Sequence, residues 1–588
     1  MNTFSVLLRW LRRPINLIAL LLVLTPPLLI LLMTQAYFVR EAPYIDQWSL
    51  GVYVATRAQA GTLTIGDVTS QYGAHHIIPS NLTIAAFSLL NRYDVSHTIH
   101  IQWMLSVIRW GLLLGLVGIQ QTRLLAPSAV LLSLFVFYPT QLHLWEYSFN
   151  MPWLYVQVFL LAALITIATT KPGPVPFLIV AILAICATFT IAVGLVTWVV
   201  LPVAMWLAGY RQWRYVFMWA AVTAVTVGVY FSPLLPVFER LDLLIPDFAS
   251  DAPLATPGQI LRGVAVYLSA PMLFFNVQLA FVITVGGVAW LCGNAWHIWR
   301  RNLMPTQHIG IWLAIAFFAL GSAALTMLGR AGAIAPVDAG KQTRYFNVGV
   351  NLWITCSVFA LVIIGARGQR RWRVYSNLTG IAIVVACLVF TSFQTVFLLR
   401  TVYGHNVFEA TSQPNADYDN CFLTFPLHRD DACIPRDYGM NHHAQPAFIY
   451  QLAVYRLALF RDYPAQSILP EEAPVIVHTN DEWLSLYVRE FMLPDVPQLH
   501  LTQQAQWDDP SQFDPPLENV VYSEVPAEVV REFVETHGTV YYLNIPEVAA
   551  SSPDVLRAVE TGTIDSVDIA APRYIDARFT LRRIQHGQ

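Results

Sequence analysis

Three stretches of this chain carry residues suited to acid–base chemistry or phosphate binding beside a membrane. The first runs from Arg40 to Tyr93. It places Asp46 a few positions beyond a long apolar run, with His75 and His76 about thirty residues later. A carboxylate near an apolar boundary has its pKa raised and can take a proton from a hydroxyl. The plainer role for Asp46 is a solvated cap on the preceding helix. Trp48 and Tyr53 suit an interfacial aromatic belt or the face of a sugar ring. The second stretch, Gly329 to Tyr345, reads GRAGAIAPVDAGKQTRY and holds Arg330, Lys341, Arg344 and Tyr345. Lys341 is one of only two lysines in the chain. Positive charge gathered between two helix ends suits a phosphate or pyrophosphate, which guanidinium forks grip in a bidentate way. Anchoring to ordinary headgroups is the alternative use of such charge. The third stretch, QLHLWEYSFNMPW from Gln141 to Trp153, supplies His143, Glu146 and Asn150. Glu146 is either a second acid facing Asp46 or a rim residue.

Membrane helices must position these residues. Hydrophobic residues make up 56% of the 588 and charged ones only 12%, far from a soluble composition. Mean hydropathy is +0.51. A spanning helix needs roughly 20 apolar residues. About eleven such runs precede residue 400, near 15–37, 97–118, 124–140, 153–170, 176–190, 193–209, 214–236, 277–297, 308–328, 345–365 and 376–399. The run at 15–37 is too long for a signal-peptide core, so it is expected to remain as the first helix. With the N-terminus in the cytoplasm, the inside loops receive Arg123, Lys171, Arg211 with Arg214, Arg300 with Arg301, and Arg367 to Arg373, as the positive-inside rule asks. Two short helices broken near Thr190–Gly194 keep that charge pattern in register, and 260–276 reads as an outer interfacial helix. The outer face then receives the first loop (38–96), the Arg330–Arg344 connector and the C-terminal region. A net charge of −3 says nothing in favour of nucleic acid.

After residue 400 the composition turns to Asp, Glu and Pro. APVIVHT, LHLTQ, NVVYS, TVYYLNI and ARFTLRRI read as strands, while DEWLSLYVREFM, PAEVVREFVETHG and PDVLRAVETG read as helices. The expected architecture is therefore a polytopic α-helical membrane core over 1–400 and an extracytoplasmic α/β domain over 401–588. No P-loop, dinucleotide fingerprint or zinc spacing appears. His97 and His100 stand three apart, but no tight ligand set forms, so neither metal nor other cofactor is expected. Of six cysteines, Cys186, Cys292, Cys356 and Cys387 lie in apolar runs. Cys421 and Cys433 lie outside them and can bridge in an oxidising compartment. The sequons at Asn81 and Asn377 are at chance level.

This arrangement resembles the GT-C superfamily of membrane glycosyltransferases. Its members take a sugar from a polyprenyl- or dolichyl-phosphate carrier, as the protein O-mannosyltransferases and lipid A aminoarabinose transferases do. The matching features are a cytoplasmic N-terminus and an acid just past helix one. Amphipathic pieces in the first outer loop and a soluble C-terminal domain complete the match. Where the superfamily usually shows an acidic doublet, this chain has Asp46-Gln47. GAHHIIPSNL is similar to a His-Arg-Ile signature of bacterial members, with His75 in the His position and His76 in place of Arg. The GR…TRY segment likewise puts Arg330, Arg344 and Tyr345 in matching positions.

The resemblance implies an inverting transfer on the outer face of a bacterial plasma membrane. Asp46 would deprotonate an acceptor, which is a glycan, a lipid or a protein. The donor-phosphate side would fall to His75, His76, Arg330, Lys341, Arg344 and Tyr345. Two other classes remain open. A transporter of a lipid-linked saccharide would show ionisable groups at mid-membrane, of which Arg109 is the one clear example. A non-catalytic membrane scaffold is the other.

Overall fold

The computed structural model describes residues 14–37, 47, 50–72, 75–120, 124–138, 141, 144, 150–232, 256–269, 277–329 and 345–366. Towards the C-terminus it describes 475–478, 498–501, 535–537, 539–544, 564–569 and 580–586. Two compact units emerge, one comprising 1–39, 65–82 and 96–412, the other 40–64, 83–95 and 413–588.

The first unit is helical. Helix α1 (Pro14–Tyr37) contains Pro26 and Pro27. A proline lacks the N–H that would meet the carbonyl four residues earlier, which orphans Val23 O beneath Pro27. The Ser133 hydroxyl donates to that carbonyl at 2.6 Å, and Trp103 Nε1 donates to Pro27 O at 3.0 Å. The Ser133 hydroxyl on a neighbouring helix thus satisfies the carbonyl that Pro27 releases, as the low-polarity interior of a bilayer demands.

Helix α2 (Leu50–Ala60) belongs to the second unit. Past it come α3 (Ile65–Thr69), a small antiparallel pair β1 (Gln71–Tyr72) and β2 (His75–His76), and α4 (Ile78–Asn91). Then follow α5 (Val95–Gln120), α6 (Leu125–Val136), α7 (Met151–Thr169), α8 (Pro174–Thr188), a 3-10 turn at Ala192–Val196, α9 (Thr197–Leu207) and α10 (Trp213–Tyr230). Four more complete the unit: α11 (Pro257–Ser269), α12 (Val277–Arg300), α13 (Thr306–Gly329) and α14 (Phe346–Ala366).

Five of the described helices are long and apolar enough to cross a membrane: Val95–Gln120, Met151–Thr169, Gln278–Arg300, Thr306–Gly329 and Phe346–Ala366. Shorter apolar helices fill 20–32, 125–136, 174–188 and 192–207. Eleven spans were expected from the sequence, and the run at 376–399 lies outside the described residues. Large apolar side chains such as Phe217, Val225, Val282 and Val285 are exposed, the arrangement a lipid-facing surface requires. Trp296 and Trp299 meet at 5.0 Å near the end of α12, beside Arg300 and Arg301. That aromatic and cationic pairing suits a membrane–water boundary.

The break expected near Thr190–Gly194 is present, and its cause is local. Gly194 lies against the last turn of α8, where a Cβ would overlap the Ala187 carbonyl. Thr197 Oγ1 donates to Gly194 O at 2.6 Å, and Trp198 Nε1 donates to Thr188 Oγ1 at 2.7 Å across the turn. Helix α11 takes up the first part of the expected interfacial segment, 260–276, whose remainder lies outside the described residues. Its C-terminal half, with Gly263, Ala265, Val266, Tyr267 and Leu268, is buried, while Leu261 in its N-terminal half is exposed.

In the second unit, Ser88 Oγ donates to Ala55 O at 2.6 Å and joins α4 to α2. Five strands make one mixed sheet in the order β4 (Gln498–Leu501), β3 (Val475–His478), β5 (Thr539–Asn544), β7 (Thr580–His586), β6 (Ile564–Ile569). β3 runs parallel to β4 and β5, while β7 runs antiparallel to β5 and β6. Four of the five expected strands match this sheet; NVVYS lies outside the described residues. β6 was not foreseen. Residues 535–537 are helical, within the expected PAEVVREFVETHG helix.

Candidate functional site

Of the residues expected to carry chemistry, Asp46, Glu146, Arg330, Lys341 and Arg344 lie outside the described residues, as do Cys421 and Cys433. The elements around them are defined. Helix α1 closes before Asp46 and α2 opens after it, and α13 and α14 bracket the connector that holds the three cations. Helices α13 and α14 pack together, and Thr355 Oγ1 donates to Trp312 O at 3.2 Å between them. Arg330, Lys341 and Arg344 fall in the sequence between these two helices.

His75 and His76 form β2, opposite Tyr72 and Gln71. His75 is half-buried. His76 is buried, with Nδ1 3.1 Å from Thr69 O and Nε2 3.3 Å from Tyr230 O. Its ring meets Tyr230 edge-on at 5.0 Å and Phe189 at 5.9 Å. Ile78 N–H donates to Phe189 O at 3.0 Å close by. A neutral imidazole donates from one nitrogen only, so the tautomer decides which carbonyl it serves. This geometry clamps the β1–β2 hairpin to the ends of α8 and α10, and the ring would have to leave both carbonyls to meet a phosphate.

Tyr345 sits immediately before α14. It is buried, stacked on Tyr267 at 5.3 Å and edge-on to Trp153 at 5.0 Å. Aromatic pairs at such spacings add specific geometry to their burial. Two residues on begins a polar chain that the sequence-level candidates left out. Arg109, in α5, is fully buried, and its Nη2 donates to Asn347 O at 2.7 Å and to Asn351 Oδ1 at 2.8 Å. Asn351 Nδ2 passes a bond to Gln157 Oε1 at 3.0 Å, and Gln157 Nε2 donates to Trp153 O at 2.7 Å. Helices α5, α14 and α7 are thereby joined through one hydrogen-bonded line inside the bundle. The available signal was a single arginine in the middle of an apolar run, which is costly in a bilayer and functional by default.

Two smaller findings concern the loop of the first stretch. Asp67 in α3 is a buried carboxylate that spacing alone did not pick out. Tyr93 is buried within a left-handed turn, with φ of 54° at Arg92 and 52° at Tyr93. Its hydroxyl has no partner among the described residues, and burial pushes its pKa upward. It therefore stays a hydrogen-bond donor, set against Gly51 in the first turn of α2. Asn81 is fully buried, with Nδ2 donating to Val68 O at 2.9 Å, and so is no glycan acceptor in this conformation. Among the described residues no group of three His, Cys, Asp or Glu is placed to hold a metal. His97 and His100 bring their rings to 5.5 Å.

No family model and no curated protein matches the chain. Among solved structures it is similar to ArnT from Cupriavidus metallidurans, in the apo state and bound to undecaprenyl phosphate. Both are 13% identical with a TM-score of 0.39; they cover 95% and 96% of this chain and 97% of the ArnT chain. It is also similar to the Archaeoglobus fulgidus oligosaccharyltransferase in complex with zinc and sulfate. That match is 12% identical with a TM-score of 0.41, covering 94% of this chain and 72% of the other.

Proposed function

We propose that the chain is an integral-membrane glycosyltransferase that moves a sugar from a polyprenyl-phosphate carrier to an acceptor on the outer face of the membrane. The observation that carries this is the α13–α14 pair. Two packed apolar helices, each long enough to cross, are joined by a connector bearing Arg330, Lys341 and Arg344. Cations gathered on one connector between two such helices suit the phosphate of a lipid-linked donor. As the sugar's anomeric carbon is attacked, the carrier phosphate departs with added negative charge, and fixed cations stabilise it.

Asp46 is the proposed general base, placed by sequence just beyond α1. It takes the acceptor's proton as the acceptor oxygen bonds to the anomeric carbon and the bond to phosphate breaks, which inverts the configuration. Glu146 is proposed as a second acid, and His75, His76 and Tyr345 as supports of the donor side. No metal or other cofactor enters this mechanism.

A second reading is a transporter of a lipid-linked saccharide, favoured by the fully buried Arg109 inside the bundle. One experiment separates the two. The purified chain in lipid is given radiolabelled polyprenyl-phosphate sugars, beside the Asp46→Asn variant. Asp46-dependent loss of label from the carrier, with carrier binding kept in the variant, is the expected result. Saturable binding with no turnover of any donor would shift the assignment to transport.

A further inference from the structure

Helix α5 has 26 residues, and Arg109 lies fourteen positions beyond Val95. At 1.5 Å per residue that is about 21 Å along the helix, near its middle. The partners of Arg109 are Asn347 and Asn351, in the first two turns of α14. Helix α14 therefore starts beside the midpoint of α5, and its N-terminal end is buried in the bundle.

Three features converge there. Among the described residues the guanidinium uses only Nη2, while Nε and Nη1 are buried with no partner. The Asn347 side chain is fully buried, and among the described residues both its Nδ2 and its Oδ1 lack partners. Lastly, a helix N-terminus presents unsatisfied N–H groups and the positive end of the helix dipole, a setting that favours anions.

A buried charge without a counter-charge is strongly unfavourable, and buried polar atoms without partners call for a guest. Among the described residues no carboxylate pairs with this guanidinium. Water alone would leave the charge uncompensated.

We propose that the buried end of α14 is an anion-binding site, in which Arg109 and the Asn347 amide receive a phosphate-type oxyanion. Arg109 Nη1, with both of its N–H groups unused, is the charge-assisted donor that a phosphate oxygen meets. Asn347 Nδ2 supplies a further donor, and Oδ1 accepts the one O–H of a monoprotonated phosphate. The bonds from Nη2 through Asn351 and Gln157 to Trp153 O hold the guanidinium in place before the ligand arrives. A free phosphate and a lipid phosphate present the same oxygens, so the shared chemistry defines the site. The site uses residues distinct from the connector cations and holds whether the chain transfers a sugar or moves a lipid.

The test uses the full-length chain in nanodiscs, with direct binding and thermal unfolding measured for inorganic phosphate, undecaprenyl phosphate and the uncharged polyprenol. Wild type should bind at least one phosphate probe more tightly than the polyprenol. A response to both probes marks a phosphate site open to free ions; a response to the lipid alone marks a headgroup site. Asn347→Asp sets a carboxylate against the guanidinium, so the anion should bind at least about tenfold more weakly while resting Tm rises. If Asn347→Asp does not fold, Arg109→Lys decides by the same criterion, since an ammonium keeps the charge but cannot hold Asn347 O and Asn351 Oδ1 while also presenting planar donors to an anion. Wild type that binds neither phosphate probe, or a folded variant that binds as wild type does, overturns the proposal. Sugar transfer is not a readout, so failure here is distinguishable from failure of the glycosyltransferase assignment.

Discussion

At the scale of single residues, the described site is made of main-chain carbonyls as much as of charged side chains. His76 closes on Thr69 O and Tyr230 O, and Arg109 closes on Asn347 O. Spacing in the sequence marked the histidine pair and the arginine as unusual, but it had no means of showing which carbonyls they meet. Those carbonyls belong to residues 154 and 238 positions away for Tyr230 and Asn347. The connector cation Arg344 is where the proposed donor chemistry is most exposed to test. Replacing Arg344 with Ala should weaken binding of a polyprenyl phosphate by roughly tenfold or more, as expected for loss of a charge-assisted bond. A titration of the purified variant that returns wild-type affinity would remove Arg344 from the donor site.

At the scale of elements, what the sequence revealed depended on how local the cause was. The break between α8 and α9 was legible because only two short helices keep the positively charged loops in register. β3 and β5 were legible from their apolar, β-branched patterns, and β4 and β7 from apolar residues alternating with polar ones. β6 was not, because IDSVDI carries two carboxylates and becomes a strand through its pairing with β7 across Ile564–Ile569. Gly194 yields a direct check on the break. A Cβ there meets main-chain atoms of Ala187 and Thr188, whereas one at Gly228 in α10 meets nothing within 4 Å. Gly194→Ala should therefore destabilise the chain by about 1–3 kcal/mol, in line with overpacking elsewhere, and lower Tm in a thermal-unfolding assay. Gly228→Ala should leave Tm near wild type. Equal shifts in the two variants would mean that the turn relaxes freely.

At the scale of the molecule, the proposed topology puts the C-terminal region outside and the loop at Arg300 inside. A membrane-impermeant thiol reagent applied to intact cells should label Cys421 and Cys433 only after reduction, because the proposed bridge consumes both thiols. An Arg300→Cys variant should resist that reagent until the membrane is opened. The opposite pattern would invert the assigned orientation. The link from Arg109 to α14 also sets a timetable. Its partners are made 238 and 242 residues later. At typical synthesis rates of about 5–20 residues per second that is a delay of roughly 12–50 s. Helix α5 thus enters the bilayer as a nascent segment carrying a charge for which its own chain has not yet produced an acceptor. Until α14 emerges the arginine lacks the carbonyl and amide that later hold it, so snorkelling toward water has to carry its charge, and the cell's quality-control proteases have that interval in which to act.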